Sequence, residues 1–122
     1  MTHHGDAYVA DAVTFGPRPV QKPRIPMWFA ARGASAPRPI RRAARFDGMV
    51  PIELDDPDHL SRMLDIVIAE RGSLDGFDTM VASTLDATEV ERRGATWSYR
   101  SFPTNASPND VLAVIEQGRW AD

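Results

Sequence analysis

The sequence predicts an α/β protein built on a parallel sheet, and three observations carry that expectation. Short apolar runs alternate with helix-like segments along the chain, and strands joined through helices lie parallel to one another. One helix, opening near Asp56, is bounded by clear signals at both ends. The chain has 122 residues, 43% of them hydrophobic, which suits a single domain over 1–122 with a modest core.

The first element is extended. "YVADAVTF", residues 8 to 15, stops at Gly16-Pro17, so residues 1–16 are expected as an extended N-terminal segment. Seven of the ten prolines then fall between Pro17 and Ile52. Pro17, Pro19, Pro23 and Pro26 restrict φ on the approach to "IPMWFAA", a buried strand from Ile25. Pro37 and Pro39 suit a helix start. That helix, Pro37 to Phe46, places Ile40, Ala43 and Ala44 on one face and Arg38, Arg41, Arg42 and Arg45 on the other. "GMVPI" at 48 to 52 is the second strand of this series.

Leu60, Met63, Leu64, Val67, Ile68 and Arg71 follow helical spacing and make one stripe. Asp56 caps its start, Pro57 fits the first helical position, and Gly72 suits the left-handed exit. "FDTMVAST" (77 to 84) is a strand, "DATEVERRG" (86 to 94) a short helix and "ATWSYRSF" (95 to 102) a strand. The connection from Thr84 to Gly94 is near the lower limit for joining parallel strands, which leaves the pairing of the last strand open. Ser107 caps the final helix, with Val111, Leu112, Val114 and Ile115 on its apolar side. Two architectures fit these four βα units: a small open sheet with helices on both faces, or half of an eight-stranded βα barrel.

Composition excludes several classes of function. Fourteen basic and 17 acidic residues leave a formal charge of −3, so no bulk field favours nucleic acid or an anionic membrane. The absence of cysteine removes disulfides, thiolate nucleophiles and cysteine-ligated zinc. No run approaches a membrane span of about 18 apolar residues, and the first residues lack a signal peptide's blocks, so a cytoplasmic location is expected.

Local clusters have structural explanations. The Arg38, Arg41, Arg42 and Arg45 stripe reads as a solvated helix face, and no aromatic interleaving points to nucleic acid. Asp55, Asp56, Asp58 and His59 read as capping and first-turn charge, and no metal is assigned. His3 and His4 fall in a terminus expected to fray. Ser83-Thr84 ends a strand on the edge where barrel enzymes place ligand groups, though a plain strand ending accounts for it. Trp28 and Trp97 read as core or sheet-packing residues. No Ser-His-Asp set or carboxylate pair stands out, so no catalytic residue is assigned.

The stretches "YVADAVTFGPRPVQKPRIPMWFA", "PIRRAARFDGMVPIELDDPDHLSRML", "AERGSLDGFD", "GATWSY" and "VLAVIEQGRW", in that order, resemble the C-terminal half of the luciferase-like monooxygenase family. The resemblance covers nearly the whole chain, and Pro17 to Ile52 is its most specific part. It implies half of an eight-stranded βα barrel and an oxidoreductase that uses FMN or a deazaflavin coenzyme on a small organic substrate. In the family, a glycine-rich loop after the strand matching "IPMWFA" helps to hold the cofactor's phosphate or ribityl end; the matching positions here are Ala30, Ala31, Arg32 and Gly33. The family's first half has no counterpart before Met1, and two alanines stand where the family has glycines.

The resemblance therefore implies a partial oxidoreductase, inactive alone. The alternative is a non-enzymatic remnant or assembly module that pairs with itself or with a complementing half-barrel partner. A stand-alone flavodoxin-like binder would need its phosphate loop directly after the first strand, and the same Ala30 to Gly33 loop is all that is available.

Overall fold

The computed structural model describes residues 1–17 and 19–117. Arg18 of the proline-rich run, and the Gly118, Arg119 and Trp120 that close the family resemblance, lie outside the described residues.

Two short strands open the chain. β1 (His3–His4) and β2 (Val9–Ala10) pair antiparallel, with His3 opposite Ala10 and His4 opposite Val9. This corrects the single extended run expected over 8 to 15. The Gly5 N–H donates to the Tyr8 carbonyl at 3.1 Å, the His4 ring bonds the Asp11 carboxylate, and the His3 and Tyr8 rings lie 4.9 Å apart. Two residues on each side of a short loop are too few for period-two alternation to register.

The main sheet follows the proline-rich run. β3 (Trp28–Arg32), α1 (Pro37–Ala43), β4 (Gly48–Ile52), α2 (Pro57–Arg71), β5 (Asp78–Ala82), α3 (Ala87–Arg92), β6 (Trp97–Tyr99) and α4 (Pro108–Glu116) succeed one another, strand and helix alternating. The four strands lie in the order β3-β4-β5-β6, and every neighbouring pair is parallel. The last strand, whose pairing the sequence leaves open, thus lies beside β5, with Met80 opposite Trp97 and Ala82 opposite Tyr99. β3 begins three residues later than expected, because Pro26 offers no N–H to a ladder and Met27 bonds to Asp47 instead.

Sequential order has a topological consequence. Crossovers that step in one direction with one hand leave their helices on the same side of the sheet. α1, α2 and α3 do lie in one layer: α1 packs on β3 and β4 and against α2, and α2 meets α3. The core lies under that layer, with Ile40, Ala43, Ala44, Leu60, Met63, Leu64 and Val67 from the helical side against Ala31, Met49 and Val81 from the strands. Helices on both faces, the first of the two architectures, are not seen for this layer, and the order lacks the reversal that makes the ligand crevice of a doubly wound sheet.

Caps and exits follow their residues. The Asp56 carboxylate accepts from the His59 N–H at 2.8 Å, and Gly72 leaves α2 at φ 93°. Four stripe residues of α2 are buried, but Ile68 is 40% exposed. α3 engages α2 near its start, where Arg93 bonds Ser61 and pairs with Asp58, and Ile68 lies two turns further on, beyond that contact. Arg71 closes the far end by donating to the carbonyls of Ala44, Phe46 and Asp75 while stacking on Phe77.

Candidate functional site

Alternation along the strands splits their side chains between two faces. Phe29, Ala31, Met49, Thr79 and Val81 face the helices. The opposite face carries Trp28, Gly48 and Asp78 in one register row, Ala30 and Val50 in the next, and Arg32 with Ile52 above them; Met80 with Trp97 and Ala82 with Tyr99 continue it on β5 and β6. Of these residues only Gly48 is buried.

At the N-terminal end of this face the contacts are tight. A Cβ on Gly48 would lie 2.6 Å from the Asp78 carbonyl and 2.7 Å from the Trp28 ring, so the indole can cross the sheet only because residue 48 is glycine. The Trp28 and Trp97 ring centroids are 5.9 Å apart. Asp78 Oδ1 accepts from Thr96 Oγ1 at 3.0 Å and from Trp97 Nε1 at 3.2 Å, and this fixes the outer indole. Beneath it, Arg24 pairs with Asp47, whose carboxylate also accepts from the Met27 N–H at 2.7 Å. These bonds, Arg24's first, hold the Asp47 carboxyl below its ordinary range.

The opposite rim, at the C-terminal ends of the strands, is where parallel α/β proteins gather functional groups. Arg32 ends β3 and forms an ion pair of 2.6 Å with Glu53, both side chains mostly exposed. Glu53 itself has φ 57°, an uncommon conformation for a non-glycine residue. Gly33 has φ 59°, and a Cβ there would lie 3.1 Å from His59 Nε2. That nitrogen accepts from the Ala34 N–H at 3.4 Å. Ser83 and Thr84 follow β5, and the Ser83 N–H donates to the Tyr99 carbonyl at 2.9 Å.

The four residues matched to the cofactor loop are therefore not all in a loop. Ala30, Ala31 and Arg32 belong to β3, and the Ala31 methyl is buried in the core under α1. Only Arg32 and Gly33 reach the rim. α1 adds little to it: Ala36 caps the helix without a side-chain bond, and Pro37 and Pro39 remove two N–H groups from its first turn. Arg41, Arg45, Asp65 and Glu70 line a shallow groove between α1 and α2, on the outer side of the helix layer and remote from the rim. Among the described residues no group of three or more histidines, aspartates or glutamates is placed to hold a metal ion, and no helix is long and apolar enough to cross a membrane.

Sequence reasoning missed the Arg32–Glu53 pair and the seat of His59 against Gly33. Neither leaves a periodic signal, although the proximity of His59 to a helix start is visible in "DDPDH". Compared with protein-family models, curated proteins and solved structures, the chain matches none.

Proposed function

We propose that this chain is a half-barrel assembly module of luciferase-like descent, inactive until the bare face of its sheet is covered. One observation carries the reading. Four parallel strands run in chain order, with helices along one face and mainly apolar, only half-buried side chains on the other. A closed βα barrel turns that second face into a packed interior. Val50, Ile52, Met80, Ala82 and Tyr99, all half-buried here, are of the type and placement such an interior requires.

A second reading is favoured by the position of Arg32 and Gly33 at the C-terminal rim. In it the completed barrel is a cytoplasmic, flavin- or deazaflavin-dependent oxidoreductase for a small organic substrate. The coenzyme would supply the redox chemistry, and the protein would anchor its anionic tail and exclude water. The donors of these residues do not suffice for that anchor. Arg32 is shared with Glu53, and the first turn of α1 lacks two N–H groups, so further donors must come from the covering strands.

Titration with FMN and with a deazaflavin, followed by fluorescence, separates the readings. The module reading predicts no saturable binding to the single chain. Micromolar binding of FMN by a monomer, lost in Arg32→Ala, would overturn it in favour of an enzyme that works as one chain.

A further inference from the structure

The chain exposes 9074 Å² of surface. A compact monomer of the same mass exposes about 6,500 Å², which leaves an excess of roughly 2,500 Å² per chain. Much of that excess lies on the segment before β3, where Tyr8 is 68%, Phe15 69%, Val20 97% and Ile25 63% exposed. On the bare face itself Trp97 is 57% exposed, and on α4, off the sheet, Ile115 is 66% and Leu112 52% exposed. α4 buries none of its residues.

The sheet also limits what kind of partner can cover it. β3 and β6 are its two edges, and each pairs on one side only among the described residues. A two-fold rotation about an axis along the strands sets β6 of one copy beside β3 of the other, parallel to it. The same operation makes the second seam, so the ring closes and no edge remains. Four strands from each copy make eight, the number at which side chains just fill a barrel. A foreign partner would have to present both complementary edges at once, whereas a second copy does so by construction. Of the charged groups on the face, Arg32 is paired with Glu53, and the Asp78 carboxylate accepts hydrogen bonds from Thr96 and Trp97.

We propose that the bare sheet face is closed by a second copy of this chain, the two copies joining β3 to β6 at two equivalent seams into one ring of eight parallel strands. The proposal rests on the half-barrel reading and names the partner that reading leaves open.

Light scattering over a dilution series, with hydrogen exchange on the wild-type chain, tests it. The wild type is expected at twice the chain mass, with slow exchange at the β3 and β6 edges. Met80→Arg puts a charge into the closed interior and should raise the dimer dissociation constant about a hundredfold. Its helical circular dichroism should be unchanged, because Met80 lies on the bare face of the single chain. Ile68→Arg, on the helix layer, should leave the mass at two chains. If Met80→Arg fails to fold, the wild-type edge exchange still decides. A single-chain mass with fast edges overturns the second copy and leaves the half-barrel standing; a single-chain mass with slow edges removes both. A dimer split by Ile68→Arg but not by Met80→Arg also overturns the proposal. A dimer that binds neither FMN nor a deazaflavin supports it and removes only the oxidoreductase reading.

Discussion

The two faces of the β3-β6 sheet are made from the same twenty or so residues and differ in nearly everything else. On the helix side Ala31, Met49, Thr79 and Val81 are at most 1% exposed, and every one meets side chains from α1, α2 or its neighbours. On the other side Val50, Ile52, Met80 and Tyr99 are comparably apolar but only half-buried. Both sets sit on the same strands, one residue out of phase, so strand propensity cannot distinguish them. The contrast lies in what covers them. The helices of a sequentially ordered parallel sheet cover one face, and the other needs a cover from elsewhere.

Paired truncations should expose this difference most strongly. Leu60→Ala, in the core under the helix layer, should lose about 2–5 kcal/mol of unfolding free energy, since it leaves a cavity that packed neighbours cannot fill. Val50→Ala, on the bare face, should cost the isolated chain no more than about 1 kcal/mol. Denaturant titration at a concentration that keeps the chain monomeric measures both, and equal losses would mean that the two faces are equally covered.

Gly48→Ala sharpens the comparison at the one tightly packed point on the bare face. The added methyl would meet the Asp78 carbonyl and the Trp28 ring, and the carbonyl, being backbone, cannot step aside. A loss of about 1–3 kcal/mol is expected, together with a change in near-ultraviolet circular dichroism as the Trp28–Trp97 contact opens.

The smallest effect concerns the strap from the proline-rich run to the sheet. A carboxylate held below its ordinary value stabilises the fold above that value and ceases to do so as pH falls through the lowered one. For Asp47, with an ordinary value of 3.8, the contribution of its bonds to Arg24 and Met27 is complete at neutral pH and is lost as the pH falls below 3.8 and through the lowered value. Arg24→Ala should therefore lower stability slightly at pH 7 and by progressively less as the pH falls below 3.8, as acid-dependent denaturant titrations would show.

The parts of the fold set by local chemistry were legible in the sequence. Asp56, Pro57 and Gly72 bound α2 as their side chains and backbone preferences require, "GMVPI" coincides with β4, and Ser107 and Asp110 cap α4 reciprocally. Features that depend on residues distant in sequence were not. The exposure of Ile68 beyond the contact with α3 and the bare apolar side of α4 follow from what lies, or does not lie, opposite. The candidate site divides in the same way. Gly33 was singled out only by its match to the cofactor loop, whereas Glu53 reaches Arg32 and His59 reaches Gly33 because β4 and α2 fold beside β3. Ala31 was matched to a loop on its position in the run, but alternation along β3 turns its methyl into the core.

The central claim is that one face of the sheet is permanently covered and the other is covered only by assembly. The chain contains no cysteine, so a single introduced thiol reports on one position without interference. Labelling of Val50→Cys by a maleimide should be fast in dilute solution and slow by at least about tenfold when concentrated, while Met49→Cys should be slow throughout. A Val50→Cys rate that does not change with concentration would contradict the account.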